Sequence, residues 1–338
     1  MKQWQDLLKG DSLAWLLEPD ESNPAVRYLA LRDIAGLPED SPELLKAKTV
    51  AMTAGAIHRV LASQRPQGYW VKPGAGYSPK HTGTVWSLSL LAQLGADKSE
   101  PRVKAAAEYV LNSTVSPTGW FSYNGTPSGF IHCHAGYLGE AMINLGFSDD
   151  PRVMSAIDLQ AKLVTGEGIA PTGSENPVRF YHYTSGPGFV CGKLPCAWGA
   201  VKAMKAIASV PDQRRTHTMR NALERGKELF FNADLMVCKF SNLKNGQPSG
   251  NWFKFGFPLF YVGDVLEVLD VMARLGEGQD PRLEKAWSLV LDKQDAEGRW
   301  PMEYSYNGKL WSDIEVKGQS SKWVTLRALR ALKVAFPG

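Results

Sequence analysis

Apolar residues recur along most of the chain at spacings of three and four. Val103, Ala107, Val110 and Leu111 share one face of a helix, with Arg102, Lys104 and Glu108 placed elsewhere on it. The stretches 151–164, 213–231 and 281–294 are expected to be outer helices of the same one-sided kind as 101–112. Between them lie stretches that are longer or more apolar around their circumference, near 82–95, 132–146, 195–210, 258–276 and 321–335. Such segments suit helices packed on more than one side. The pattern therefore predicts helical hairpins, each with a buried inner helix and a half-exposed outer one. Further helices are expected near 24–36 and 42–62, and the alternation typical of strands is nearly absent. Segments without periodicity fall at about 165–194 and 238–257. Loops of that length inside a compact domain are usually functional or disordered.

The junctions between hairpins repeat a phrase. Leu94-Gly95 leads to Glu100-Pro-Arg-Val103, Leu145-Gly146 to Asp150-Pro-Arg-Val153, and Leu275-Gly276 to Asp280-Pro-Arg-Leu283. Glycine closes a helix in a left-handed cap, and proline fits the first turn of the next helix, where its missing N–H is not needed. A worn copy begins at Val210-Pro211. A second phrase is Gln-x-x-x-Gly-x-Trp, present as Gln64 to Trp70 and as Gln294 to Trp300. Gln247 to Trp252 is the same phrase one residue short, and Gly119-Trp120 keeps only its end. In this phrase Gln can bond free backbone groups at a helix end, Gly permits the turn and Trp packs against the neighbouring hairpin.

Over roughly residues 60–335 these phrases resemble the QW repeat of the terpenoid cyclase and protein prenyltransferase superfamily. The resemblance implies an all-α fold, an α/α toroid in which inner helices line a central cavity and outer helices wrap around them. The whole chain, 1–338, is then one domain, with 1–60 as an N-terminal helical extension and 61–338 as the toroid. The motif stitches the scaffold, so it speaks to the fold far more than to the activity.

Composition narrows the function. Of 338 residues 44% are hydrophobic and 21% charged, which is ordinary for a soluble globular protein. The net charge of +4 carries no basic stripe, which argues against a nucleic-acid partner. No apolar run reaches the roughly 18 residues of a membrane span. The first residues, MKQWQDLLKGDSLAWLLEPDESNP, are acidic where a signal peptide needs an apolar core, so a cytoplasmic location is expected. Four cysteines make a disulfide scaffold unsuitable, and no obligate protein partner is evident. The unusual feature is the aromatic content: 11 Trp, 11 Tyr and 13 Phe.

The resemblance puts the chemistry near the N-terminal ends of the inner helices, and those ends carry a consistent set of side chains. The residues that suit catalysis are His132, His134, His182, Cys196 and Asp264. Those that suit a substrate pocket are His81, Trp86, Tyr181, Tyr183, Trp198, Tyr261 and Trp323. His132, His134, Cys191 and Cys196 are ligand types that zinc prefers, which makes zinc the one cofactor to test for. Helical neighbours at i and i+2 point about 200° apart, so a shared metal needs extended backbone at His132–His134, or one of them with the two cysteines.

Protein prenyltransferases hold a catalytic zinc through Asp, Cys and His. The segments Gly192 to Trp198 and Phe180-Tyr181-His182 resemble their ligand segments, but in reversed order and without the Asp before the Cys. Alternatively Cys196, following Pro195 in a first helical turn, is a nucleophile activated by the helix dipole. His132, His134 or His182 would then be its base. The acidic motifs of squalene–hopene-type and ionisation-type cyclases, Asp-x-Asp-Asp and Asp-Asp-x-x-Asp, do not occur; the nearest sequence is Asp313-Ile-Glu315.

Asp264, Glu267, Asp270 and Arg274 form one helical stripe, in which Asp270 and Arg274 are expected to pair. Asp264 reads equally as an acid–base group or as a carboxylate favoured by the helix N-terminus. The loop Phe180 to Phe189 has the composition of a lid, and equally of a plain Ω-loop. The leading expectation is a prenyltransferase- or squalene cyclase-like enzyme acting on a hydrophobic or aromatic small molecule in the central cavity. A carbohydrate-active lyase or hydrolase and a non-catalytic ligand-binding toroid remain as alternatives.

Overall fold

The acidic-Pro-Arg junctions all work alike in the computed structural model, which describes residues 3–237 and 250–338. The carboxylates of Glu100, Asp150 and Asp280 accept the N–H of the arginine two residues on, at 3.3, 2.8 and 2.9 Å, and bond its Nε as well. Each junction thus opens an outer element: α6 (Pro101–Ser113), α8 (Pro151–Thr165), and a short 3-10 turn leading into α12 (Glu284–Asp292). The worn copy at Val210-Pro211 forms only a 3-10 turn. Its helix, α10 (His217–Asn232), starts after Thr216, whose hydroxyl caps the N–H of Met219.

The inner helices are α5 (Thr84–Gln93), α7 (His132–Asn144), α9 (Ala197–Ser209), α11 (Val265–Arg274) and α13 (Lys322–Ala335), packed in that order. Helices α7 and α9 come closest. A Cβ on Gly136 would lie 2.4 Å from the Lys202 backbone, so only glycine lets these two meet. The N-terminal helices complete the ring. Helix α2 (Pro24–Ala30, continued by a π turn through Ala35) sits between α13 and the end of α5. Helices α3 (Pro42–Thr53) and α4 (Gly55–Ala62) lead from it to α5, while α1 (Ser12–Leu17) and the turn before it pack on α13. There the Trp4 N–H donates to the Phe336 carbonyl at 3.0 Å, and the Lys9 N–H to Gln294 Oε1 at 3.1 Å.

The two full Gln-x-x-x-Gly-x-Trp segments have matching geometry. Trp70 and Trp300 are fully buried, and each indole N–H donates to a carbonyl ten residues earlier, Val60 and Val290. Each tryptophan's backbone N–H goes to a threonine hydroxyl in the next inner helix, Thr84 or Thr325. Gln64 and Gln294 reach carbonyls of Arg102 and Leu7, in neighbouring hairpins. In the short copy Gln247 lies outside the described residues, while the Trp252 indole is buried and donates to the Leu235 carbonyl.

The fold is thus an all-α toroid. The described strands are a single short pair, β1 (Val190–Cys191) with β2 (Leu194–Pro195). Among the described residues, no helix is long and apolar enough to cross a membrane.

Helix α11 begins at Val265, later than the periodicity suggests, because the segment before it has another job. Residues 257–261 reach across the ring from α11 to the end of α5. Gln93 holds the backbone of Leu259 at both its N–H (2.7 Å) and its carbonyl (2.6 Å). Phe257 stacks on Trp323 at 4.2 Å. This crossing divides the axis. The N-terminal ends of the inner helices are filled with aromatic rings, and a cavity of about 670 Å³ opens at their C-terminal ends.

Candidate functional site

The aromatic filling is built from every side of the ring. Trp86, one turn into α5, meets Tyr77 at 4.9 Å, His81 at 5.1 Å, Tyr137 of α7 at 5.5 Å and Phe260 of the crossing segment at 5.1 Å. His134 lies edge-on to both Tyr77 and Tyr137, at 5.4 Å from each. Tyr306 closes the other side against His81 (4.7 Å) and Phe260 (5.0 Å). Tyr261 and Trp198, both half-buried, form the outer edge, with the exposed Lys80 donating to the Tyr261 hydroxyl at 3.1 Å. His81 holds a left-handed backbone, φ 72°, an arrangement that costs a non-glycine residue on the order of 1 kcal/mol.

Within these rings several buried polar atoms have no hydrogen-bond partner: the hydroxyl of Tyr137, both nitrogens of His134 and Nε2 of His81; the Tyr306 hydroxyl meets only that of Tyr304. Leaving such an atom unpaired costs roughly 1–3 kcal/mol, so a site that keeps several is using them or storing strain. Their charge states are uniform. Burial pushes the Tyr137 and Tyr306 hydroxyls well above the ordinary tyrosine value, and Tyr77 to about 12. Burial likewise pushes His134 down to about 3. His81 falls to about 4 through burial and the charges of Lys80 and Lys309. At neutral pH the cluster therefore offers uncharged donors and uncharged acceptors inside an apolar shell.

Of the residues expected from the sequence, His81, Trp86, His134, Trp198 and Tyr261 meet here. Tyr183 joins at the margin through Tyr123, which contacts Tyr77. His132 does not join. It occupies the first turn of α7 and faces Phe130 and Phe189, with burial lowering it to about 4. Tyr181 packs on Trp120, and His182 is exposed beside Tyr183. Trp323 is engaged with Phe257 and donates to Asn23 Oδ1 at 3.0 Å.

Asp264 behaves as the helix N-cap, accepting from the Glu267 N–H at 2.9 Å, and its two oxygens pair with Arg327 at 2.8 and 3.0 Å. Cys196 is likewise an N-cap rather than a first-turn residue. Pro195 belongs to β2, and the Cys196 sulfur accepts from the Gly199 N–H at 3.1 Å. The zinc arrangement is not met. His132 and His134 are helical and so point apart, and among the described residues no three His, Cys, Asp or Glu side chains are arranged to hold a metal ion.

Sequence reasoning missed Tyr137 and Tyr306. Tyr137 is three residues from His134 on the same helical face, a signal that was available. Tyr306 lies in a loop with no periodicity to mark it.

No family model matches the sequence, and no curated protein is similar to it. Among solved structures the chain is similar to the apo type II terpene cyclase MstE from Scytonema. That match has 14% identity and a TM-score of 0.34, and it covers 83% of this chain and 96% of that one. A variant of the same cyclase in complex with its product, merosterolic acid A, matches at 13% identity and the same TM-score, covering 83% of this chain and 95% of that one. A likeness of this size assigns no activity to the present chain.

Proposed function

We propose that the protein is a toroid enzyme acting on an uncharged hydrophobic or aromatic small molecule at the aromatic end of the ring. The observation that carries this reading is the set of buried, unpartnered Tyr137, His134 and His81 atoms within a shell of rings. A neutral imidazole can accept from, and a neutral phenol can donate to, a hydroxyl or carbonyl group on an otherwise apolar molecule. The faces of Trp86 and Phe260 would bind its apolar body and stabilise positive charge developing on it. Alkene protonation by Asp264 has no support, since that carboxylate is tied to Arg327. The enclosure of the cluster favours a compact molecule over a polysaccharide chain. Because the rings fill the space between them, a ligand enters only if Tyr261 and Trp198, half-buried at the outer edge, swing aside.

A panel of terpenoid and aromatic alcohols and ketones, read by tryptophan fluorescence and by mass spectrometry of products, tests this. Tyr137→Phe keeps the ring and removes the hydroxyl. It should leave binding within about twofold and lower turnover by on the order of a hundredfold. Unchanged turnover in Tyr137→Phe, Tyr306→Phe and His134→Phe alike would remove the assignment.

A further inference from the structure

The open cavity lies at the opposite end of the ring from the aromatic cluster, and its chemistry is different. Four guanidinium groups line it; Arg327 is held by Asp264, and the other three come from three elements, Arg32 on the π turn after α2, Arg274 at the end of α11 and Arg330 on α13. Only two carboxylates stand directly against them. Asp33 is shared, accepting from Arg32 Nε at 2.6 Å and pairing with Arg330; Asp270 holds Arg274 at 2.9 Å.

The other acids near the cavity are engaged deeper in the wall. Glu267 accepts from Lys202 at 2.6 Å and Lys205 at 3.0 Å, Glu140 pairs with Lys205 at 3.1 Å, and Asp264 pairs with Arg327. Lys333 donates to the carbonyls of Asp33 and Ile34, so its charge offsets a helix end. Arg330 keeps a buried Nε–H with no partner. Burial lowers its pKa, as do the charges of Arg32 and Arg274 against the opposing pull of Asp33. Three converging arginines held by two carboxylates form an electrostatic arrangement that an anion would complete.

We propose that this cavity is a binding site for a small molecule bearing an oxyanion group, phosphate or polycarboxylate, gripped by Arg32, Arg274 and Arg330. Guanidinium forks match the planar edges of such groups with paired, charge-assisted hydrogen bonds. The volume of about 670 Å³ falls within the range of small-molecule sites and exceeds what an inorganic anion fills. Leu29, Leu259 and Leu266 line the remainder, so the ligand carries an apolar part beside its anionic group. A purely structural role for the arginines is to balance the partial negative charge of the helix C-termini gathered here. That role predicts no ligand.

Calorimetric titration of the full chain at low ionic strength separates the two, with pyrophosphate, inorganic phosphate and citrate as probes and chloride as the ionic-strength control. The expected result is saturable binding of pyrophosphate or citrate with Kd below about 1 mM. Arg274→Gln and Arg32→Gln should each weaken it at least about tenfold. These two side chains are 38% and 41% exposed, so the fold tolerates their replacement. Arg214→Gln, paired with Asp149 elsewhere, is the control that should bind as the parent does. Preference for pyrophosphate identifies a phosphorylated ligand and preference for citrate a carboxylated one. Absence of saturable binding of all three up to about 10 mM, or equal binding in both cavity variants, overturns the proposal. This result is independent of the aromatic cluster, whose test reads a different ligand class.

Discussion

At the N-terminal ends of the inner helices, Tyr137, His81 and His134 keep polar atoms buried without partners. In the wall of the open cavity, Glu267, 1% exposed, accepts from both Lys202 and Lys205, and deeper in, at the start of α11, Asp264 holds Arg327 through both oxygens. The first region is apolar, uncharged and unsatisfied; the second is charged and largely paired. The difference follows from what each environment tolerates. A lone phenol or imidazole can be buried neutral at a cost of a few kcal/mol, whereas an unpaired ion costs far more. Full charges therefore survive only where counter-ions arrive from adjacent helices. Unsatisfied neutral groups can be retained at a site that uses them.

The largest effect should come from breaking the paired end. Burial would raise the Glu267 carboxyl, but Lys202 and Lys205 hold it down at about 2. Glu267→Leu strands the buried Lys202 ammonium, leaves Lys205 with Glu140 alone, and is expected to cost about 4 kcal/mol in urea unfolding. A loss below about 1 kcal/mol would mean that the network contributes little.

Next comes the pH response of the other end. His132 and His134 have folded pKa values of about 4 and about 3, both below the ordinary 6.5. The unfolded chain therefore binds more protons on falling through pH 6.5. The stabilisation is complete above that value and is lost as pH drops towards the folded values. Each fully buried imidazole should lose about 2 kcal/mol between pH 6.5 and pH 5. Stability curves at the two pH values should show this, and because His81 is lowered to about 4 as well, His134→Phe should remove roughly a third of the total.

The smallest effect is also the sharpest. Tyr137→Phe deletes an unpartnered hydroxyl while keeping the ring, and should leave stability unchanged or raise it by up to about 1 kcal/mol. A clear loss would show that the hydroxyl has a partner and that the two ends of the ring resemble each other more than their geometry suggests.

Much of the fold was legible in the chain. The three acidic-Pro-Arg junctions mark outer elements because the cap, the proline and the arginine act within a single turn. Trp70 and Trp300 mark stitches because their partners lie ten residues back and at the start of the next inner helix. The pairing of Asp270 with Arg274 was equally readable, being a contact one helical turn apart. The site was legible in part: His81, Trp86, His134, Trp198 and Tyr261 do meet. Asp264 caps α11, one of the two roles its position offered, and Cys196 caps α9, because each side chain reaches a first-turn N–H group of the helix it precedes.

What the sequence alone determined, then, is local: helix periodicity, helix ends and the residues that close one turn onto the next, all governed by interactions within about ten positions. The tertiary structure decided which end of the ring is filled and which is open. That depends on residues 257–261 crossing to Gln93, on α2 closing the circle, and on Arg32, Arg274 and Arg330 converging from distant parts of the chain. No periodicity encodes such meetings. They arise because packing the inner helices into a closed ring brings together side chains whose separation along the chain carries no information about their separation in space.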